Sequence, residues 1–339
     1  MFCRTLRALP AALVFAAFAA VGAAAPASAA DEHAVLAVPA EAILFMAHYV
    51  ALDLGFYKDA GVDLDSRLIV GMGSMNAVIA GSAEFSFSSG GSLTRAAARG
   101  QRLLAIANMN DRHGQQIVLR KDLAEAAHFD PNAPLSVRAQ VLKGRNIAID
   151  GMGTVVHSFV RVVAIAGGYD PEAITVSPMQ PADMMAAFGR HAIDGFAAAP
   201  PWIQEAITDG SAVMVADGIK GDPQELVPIG SVMLVTRPQT CVDRRSLCEK
   251  MGHVMLRAAN FVHDHKAETL AVLKKRFPNI SDPVLEASYE AVVSMTPTPP
   301  VITANELAHA ELMNLEAGFL KPQEKLGHYD GLFTAEFVK

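Results

Sequence analysis

The chain has 339 residues, of which 51% are hydrophobic and 19% are charged, so it carries enough apolar material for a core and is not intrinsically disordered. A formal net charge of −7 argues against nucleic acid as a partner, because a basic surface is missing. Three cysteines are too few for a disulfide scaffold, and the length predicts about two domains.

The first thirty residues have the pattern of a secretory signal peptide. Arg4 and Arg7 precede an apolar run over residues 8–25, and small residues follow as far as Ala30. A membrane anchor is the alternative, but the run is short and rich in alanine for a spanning helix. We therefore expect cleavage after Ala29 or Ala30 and a periplasmic location for the mature chain.

Two cysteines, Cys241 and Cys248, remain in the mature chain after cleavage. They stand seven positions apart at the start of a predicted helix, and an exported protein folds where disulfides can form. The alternatives are a local disulfide, which we favour, and two free thiols. A zinc site is disfavoured because no second ligand pair lies nearby, so no metal is expected.

The first part of the mature chain alternates short apolar runs with helical patterns. Strands are predicted over residues 35–38, 68–70, 85–87 and 103–107, and helices over 43–54, 74–80 and 93–99. Strands and helices that alternate at this spacing predict an α/β fold, with a mostly parallel sheet flanked by helices.

The same order of elements returns about 110 residues later. Strands are predicted over 146–149 and 174–176, with helices over 154–165 and 182–188. Glu84 and Asp194 occupy equivalent positions in the two copies. His191 stands where the first copy has Gly81, and histidine tolerates the left-handed conformation that ends a helix better than most residues. The repeat predicts two similar lobes.

Two further apolar strands, over residues 116–119 and 231–235, follow the two copies and are candidates for the crossings between lobes. The remaining sequence is helical, over 244–265, 267–277 and 283–294. Thr303 and Glu306 form a capping-box pattern that opens another helix ending near Ala317. We expect this tail to return to the first lobe.

The loops after the predicted strands consist mostly of small residues. They cover residues 39–41, 71–74, 88–92, 150–154 and 198–202. Ligands of open parallel sheets bind beyond the carboxyl ends of the strands, and helix N-termini present free N–H groups there. One such loop alone is an ordinary turn between a strand and a helix. Five at equivalent places predict a shared cleft that binds its ligand through backbone amides and needs no buried arginine.

Individual side chains in these loops leave alternatives open. Glu41 either accepts a hydrogen bond from a ligand or serves the dipole of its own helix, and Trp202 either covers a ligand or packs in the core. His48 and His157, in the first helix of each copy, either face the cleft or pack partly buried, and we favour packing. The phosphate-loop, dinucleotide and nucleophile-elbow motifs are absent, so no catalytic residue and no cofactor are predicted.

Several longer motifs carry a family resemblance. They are A-x-x-x-G-F-Y-x-x-A-G-V-x-L over residues 51–64, A-G-S-A-E-F over 80–85, A-x-G-Q-x-L over 98–103, L-K-G-R-N-I-A-I over 142–149 and I-D-G-F-x-x-x-P-P-W over 193–202. With them the chain resembles the periplasmic solute-binding proteins of ABC importers. The relevant branch includes binders of nitrate, taurine, alkanesulfonates and thiamine-pyrimidine precursors.

The resemblance implies a two-lobed flytrap fold and a binding function without enzymatic activity. Lobe I would comprise residues 31–115 and 233–339, and lobe II residues 116–232. The residues expected to contact the ligand are Pro39, Ala40, Glu41, Gly73, Ser74, Ser89, Gly90, Asn110, Gly153, Thr154, Pro200 and Trp202. The expected partners are a small solute and an inner-membrane ABC permease, with the binding protein itself a monomer.

The leading hypothesis for the ligand is a small polar, anionic organic solute that both lobes clamp by hinge closure. A pyrimidine or another heterocycle is the alternative within the same fold. The alternatives of another class are an exported enzyme and a receptor that delivers its ligand to a sensor. An enzyme requires a paired nucleophile and base in the cleft, and the sequence shows none.

Overall fold

The computed structural model describes residues 1–2 and 31–339, and the compact unit discussed below runs from Asp31 to Lys339. Apart from its first two residues, the predicted signal peptide lies outside the described residues. Among the helices of the described part, none combines the length and the apolarity that a bilayer crossing needs.

Ten strands and fourteen helices make up this unit. The strands are β1 (Glu32–Val38), β2 (Val62–Leu68), β3 (Phe85–Ser88), β4 (Leu104–Asn110), β5 (Gln116–Arg120), β6 (Asn146–Ile149), β7 (Thr175–Pro178), β8 (Gly195–Ala198), β9 (Ala212–Asp217) and β10 (Val232–Thr236). The helices are α1 (Met46–Asp53), α2 (Phe56–Asp59), α3 (Gly73–Ala80), α4 (Gly90–Ala98), α5 (Lys121–Ala126), α6 (Leu135–Arg138), α7 (Val155–Ala166), α8 (Pro181–Gly189), α9 (Trp202–Thr208), α10 (Pro238–Asp243), α11 (Arg245–Asp264), α12 (Lys266–Arg276), α13 (Asp282–Val293) and α14 (Ala304–Glu316).

The strands form two five-stranded sheets with the same internal plan. The first has the order β2-β1-β3-β10-β4 and the second the order β7-β6-β8-β5-β9. In each sheet the first three strands are parallel and the fourth runs antiparallel to both of its neighbours. In each sheet the antiparallel strand is the one that the chain enters immediately after crossing from the other sheet, namely β10 in the first sheet and β5 in the second.

Side-chain contacts repeat along with the topology. Glu84 accepts a hydrogen bond from the backbone N–H of Val35 at 2.8 Å, and Asp194 accepts one from Asn146 at 2.9 Å. Each carboxylate therefore joins the residue before β3 or β8 to the adjacent parallel strand, β1 or β6, of the same sheet. His191 has a φ of 59° and Gly81 a φ of 79°, which confirms that both end a helix in the left-handed conformation.

Several predicted bounds are wrong. β1 begins at Glu32 and not at Val35, and β4 ends at Asn110 and not at Ala107. The second strand covers Val62–Leu68 and not residues 68–70, because β2 is an edge strand with a half-exposed, charged outer face that lacks a continuous apolar run. The fourth helix begins at Gly90 and not at Leu93, because Ser89 caps it by accepting the N–H of Ser92 at 3.1 Å. The pair of glycines in its first turn concealed that start.

The chain crosses between the sheets twice, and α14 packs on both. It leaves the first sheet after Asn110 and joins the second at Gln116, then leaves after Asp217 and returns at Val232. Along α14, Leu307 lies in a hydrophobic cluster of the first sheet, whereas Met313 lies in one of the second. The lobe bounds at 115/116 and 232/233 stay a prediction.

The C-terminal helices cover the first sheet, and their predicted bounds hold to within one residue. Helix α11 packs against α1, β4 and the C-terminal turn Glu336–Val338. The capping box of α14 is formed, since Thr303 Oγ1 accepts the N–H of Glu306 and the Glu306 carboxylate accepts that of Thr303. The disulfide between Cys241 and Cys248 is present, with a Cα–Cα distance of 5.5 Å, and joins α10 to α11.

Candidate functional site

A cavity of about 340 Å³ lies between the two lobes, where the carboxyl ends of the parallel strands face each other. Its walls come from the ends of β2, β3 and β8, the start of β10, the loops that follow strands of both sheets, and the first turns of five helices. A volume in this range is typical of small-molecule sites. Both lobes thus contribute to one cavity, which is open at its rim.

Seven of the twelve predicted ligand-binding residues line this cavity. They are Pro39, Ala40, Glu41, Ser74, Ser89, Thr154 and Trp202. They come from five loops that are far apart in the chain, and the sheet order brings them together. The prediction that these loops meet at a common cleft therefore agrees with the geometry, while their contact with a ligand stays a prediction.

The other five predicted residues lie beside the cavity and not in its wall. Gly90 packs against α14, where a Cβ would come within 3.0 Å of Ala310. Asn110 is fully buried at the end of β4, Gly153 turns its loop at a φ of 73°, and Gly73 opens α3. Pro200 offers its carbonyl to the N–H of Ile43 at 3.1 Å, a hydrogen bond between the lobes.

Most of the wall is apolar, and apart from Trp202 its larger apolar residues were not predicted from the sequence. These are Leu44, Phe45, Leu68, Val70, Met72, Met75, Phe87, Val155, Val156, Met184 and Val232. Three methionines among them are flexible and polarisable, which suits a wall that adapts to a ligand's shape. Many of these residues lie in strand-to-helix loops or first helical turns, and this position was the only sequence signal that they line the cavity. Apolar residues at such positions are usually interpreted as part of the hydrophobic core.

The polar part of the wall is built from helix starts. Lining residues fall in or beside the first turns of α3, α4, α7, α8 and α9. In α7, Thr154 satisfies the N–H of His157 at 3.2 Å, which leaves the N–H groups of Val155 and Val156 without an intrahelical partner. The start of α7 therefore offers two free N–H donors and the positive end of a helix dipole at the cavity.

Two carboxylates also reach the cavity. Asp150 accepts a hydrogen bond from Thr154 Oγ1 at 2.7 Å, and burial raises the pKa of this carboxyl group. Glu41 lies at the rim, 3.5 Å from the guanidinium of Arg276, with its side chain 57% exposed. Among the described lining residues no lysine, arginine or histidine occurs, so the carboxylates have no cationic neighbour within the wall itself.

Contrary to the expectation from sequence, a buried arginine lies directly behind the wall. Arg95 of α4 is 6% exposed, and its guanidinium donates to Asn314 Oδ1 at 2.9 Å and to the carbonyl of Gly153 at 2.9 Å. The second bond joins the first lobe to the loop before α7. Burial lowers the pKa of Arg95 to about 10, with a smaller contribution from Arg99.

The two predicted packing histidines are both buried, at 2% exposure for His48 and 5% for His157. His48 is hydrogen-bonded to Tyr57 Oη at 2.8 Å and to Ser66 Oγ at 2.9 Å, away from the cavity. Within residues 31–339 no group of three or more His, Cys, Asp or Glu side chains is placed to hold a metal ion. The arrangement is suited to enclosing a solute through apolar contact and hydrogen bonds.

Comparison with known proteins places the chain in a family. The model of the NMT1/THI5-like family matches residues 43–269, which is more than half of the chain, so the chain belongs to that family. Among curated proteins, no sequence is significantly similar to this one.

Solved structures share the fold at low sequence identity. The alkanesulfonate-binding protein SsuA of Xanthomonas axonopodis pv. citri, bound to MOPS, has a TM-score of 0.70 at 16% identity, with 91% of this chain and 100% of that chain covered. The periplasmic nitrate-binding protein NrtA of Synechocystis PCC 6803 has a TM-score of 0.68 at 15% identity, with 90% and 86% covered. A ligand-binding component of an ABC-type import system from Staphylococcus aureus has a TM-score of 0.69 at 15% identity, with 91% and 98% covered. The fold is therefore the two-lobed α/β fold of periplasmic binding proteins.

Proposed function

We propose that this member of the NMT1/THI5-like family is the periplasmic substrate-binding component of an ABC uptake system. The cavity shared by two lobes carries the proposal, because a solute held there contacts both lobes only when they are closed. Its similarity in fold to binding proteins of importers supports the same role. An inner-membrane permease would then receive the solute from the closed form.

The size and lining of the cavity favour an organic solute with an apolar body. A volume of about 340 Å³ equals the space of roughly eleven water molecules at ~30 Å³ each. Nitrate, with four atoms, would leave most of this space empty. The methionines and aromatic rings of the wall would instead cover a hydrocarbon or ring system of about ten non-hydrogen atoms.

The helix starts favour an anionic head on that body. Five first turns meet at the cavity, and the free N–H groups of Val155 and Val156 can donate to a sulfonate or carboxylate. A neutral or protonated heterocycle is the second candidate, and the carboxylates of Glu41 and Asp150 favour it because they accept hydrogen bonds from ring nitrogens or amino groups.

A binding screen separates these candidates. We expect hexanesulfonate and hexanoate to raise the melting temperature, since a ligand at 100 times its Kd stabilises a protein by about 2.7 kcal/mol. Nitrate and taurine should give smaller shifts, and a 4-aminopyrimidine tests the heterocycle. If only the 4-aminopyrimidine raises the melting temperature, the ligand is a heterocycle and not an organic anion. No shift with any probe would contradict the ligand class.

Closure should be measured on the same complexes. Small-angle scattering should show a smaller radius of gyration when the bound probe is present. Ala182→Trp, which fills the cavity from an exposed wall position, should abolish both effects. Ala126→Trp, on the exposed face of α5, is the matched control and should leave binding intact. Binding that survives Ala182→Trp would place the ligand elsewhere.

We also propose the chain organisation that the sequence predicts: export by residues 1–30, lobe bounds near 115/116 and 232/233, and a monomeric mature protein. Mass spectrometry of the exported protein should give a mature N-terminus at Ala30 or Asp31. Sedimentation should give the mass of a single mature chain. An uncleaved N-terminus would contradict the proposed signal peptide, and a stable dimer would contradict the proposed monomer.

A further inference from the structure

Ser92, in the first turn of α4, is held as a hydrogen-bond donor toward the cavity. It lines the cavity and is 7% exposed. Its hydroxyl oxygen accepts hydrogen bonds from Ser89 Oγ at 3.2 Å and from Arg95 Nη2 at 3.4 Å. A hydroxyl has two acceptor lone pairs, so both are occupied and only its proton remains to be placed.

Both neighbours act as donors to Ser92 Oγ. Ser89 Oγ accepts the N–H of Ser92 as the helix cap, so the Ser89 proton is free to go to Ser92 Oγ. Arg95 can only donate, because a guanidinium has no acceptor. Neither neighbour can therefore take the Ser92 proton without giving up its own bond.

The present acceptor of that proton is weak. Ser92 Oγ donates to the thioether sulfur of Met72 at 3.6 Å, and the Met72 side chain itself forms part of the cavity wall. Methionine sulfur is a poor acceptor on a flexible side chain. A ligand oxygen that displaces Met72 would gain a better hydrogen bond than the one it breaks.

Arg95 gives this donor a positive charge behind it. The hydrogen-bond partners of Arg95 are the neutral groups of Asn314, Gly153, Ser92 and Met72, and no carboxylate of the described residues lies within ion-pair distance of it. A buried charge without a counter-charge is costly. An anion bound at Ser92 would supply the missing charge across one hydroxyl group.

We propose that Ser92 donates a hydrogen bond to an anionic oxygen of the ligand, and that Arg95 is the positioning residue that orients and polarises the Ser92 hydroxyl. This assignment rests on the proposed binding function and narrows its ligand to an organic anion whose charged head lies at α4. Hydrogen bonds to charged groups contribute about 1.5–3 kcal/mol, so loss of the Ser92 hydroxyl should weaken anion binding about 10-fold or more.

The test compares a charged probe with its neutral counterpart. Calorimetry on the full mature chain gives the Kd for hexanesulfonate and hexanesulfonamide, and the ratio of the two measures selectivity for the charge. Ser92→Ala and Arg95→Gln should each weaken sulfonate binding about 10-fold or more and change sulfonamide binding much less. Arg95→Lys, which keeps a positive charge, should retain most of the selectivity.

A control separates this role from packing of the helix. Ala97→Gly, inside α4, weakens the helix but leaves the cavity wall and the hydrogen bonds of Ser92 and Arg95 unchanged, so it should lower the melting temperature and leave the selectivity ratio intact. If the wild type binds the sulfonate but Ser92→Ala and Arg95→Gln leave the selectivity ratio unchanged, the roles of Ser92 and Arg95 are overturned. The proposed binding function would not be affected by that result. A wild-type protein that binds neither probe would contradict the organic-anion class proposed above and the assignment with it.

Discussion

At the scale of single residues, the buried imidazoles make the fold sensitive to acid. Burial, with a smaller effect of Arg276, lowers the pKa of His48 from 6.5 to about 3. Between pH 3 and 6.5, His48 is therefore neutral in the folded chain, whereas in the unfolded chain its imidazole is protonated. The stability contributed by the neutral form is complete above pH 6.5 and is lost as the pH falls from there toward 3.

A variant isolates this contribution. Below pH 6.5, each pH unit should remove about 1.4 kcal/mol of unfolding free energy through His48. His48→Gln should therefore unfold with a shallower pH dependence than the wild type in denaturant titrations between pH 7 and 4.5. The exposed His328→Gln is the control and should follow the wild-type curve. Parallel curves for wild type and His48→Gln would refute the assignment.

Gly195, at the start of β8, shows how close backbone approach selects glycine. A Cβ at this position would lie 2.2 Å from the carbonyl oxygen of Val118 in the neighbouring strand. Gly195→Ala should destabilise the protein by about 1–3 kcal/mol through overpacking, measured by thermal or denaturant unfolding. Gly189→Ala, at the open end of α8, should be neutral or stabilise by a few tenths of a kcal/mol. Equal effects at both positions would contradict this account.

At the scale of elements, the disulfide joins α10 to the first turn of α11. The loop between Cys241 and Cys248 is short, and closing it removes less unfolded-chain entropy than a long loop would. The loss of the disulfide should lower the unfolding free energy by about 2–3 kcal/mol. We expect Cys241→Ala/Cys248→Ala and the reduced wild type to melt at similar temperatures, below the oxidised protein. A double variant as stable as the oxidised protein would contradict the estimate.

Element bounds were predictable wherever a residue pattern marked them. The capping box at Thr303 and Glu306 and the left-handed stop at His191 both depend on contacts a few residues away in the chain. The strand at Val62–Leu68 was misplaced because its edge position, which exposes one face, follows from strand order. Helix starts and stops are local properties, whereas the exposure of a strand is not.

At the scale of the whole molecule, α14 couples the two lobes. Leu307 on this helix packs in a cluster of the first sheet and Met313 in one of the second, so neither lobe completes its core without it. This arrangement predicts one cooperative unfolding transition for the two lobes. Trp202, the single tryptophan, reports on the second lobe by fluorescence, while far-UV circular dichroism reports on both.

A substitution on the first-lobe side of α14 tests the coupling. Leu307→Ala should lower stability by about 2–5 kcal/mol, and the Trp202 transition should shift by the same amount as the circular dichroism transition. Leu312→Ala, at a position 38% exposed on the same helix, should have a small effect. A Trp202 transition that stays in place in Leu307→Ala would show that the lobes unfold independently.

The sequence by itself determined the repeat of strands and helices, the two-lobed α/β fold and the cysteine pair, because periodicity, caps and short spacings are written locally. It also placed Ser74, Ser89 and Thr154 in loops at a common sheet edge. Only the tertiary structure decided which residues enclose the cavity: that Met72 and Met184 line it, that Gly90 and Asn110 do not, and that Arg95 lies behind Ser92. Those outcomes depend on how the two sheets and α14 pack against one another. Contacts between residues far apart in the chain produce no periodic pattern in a single sequence.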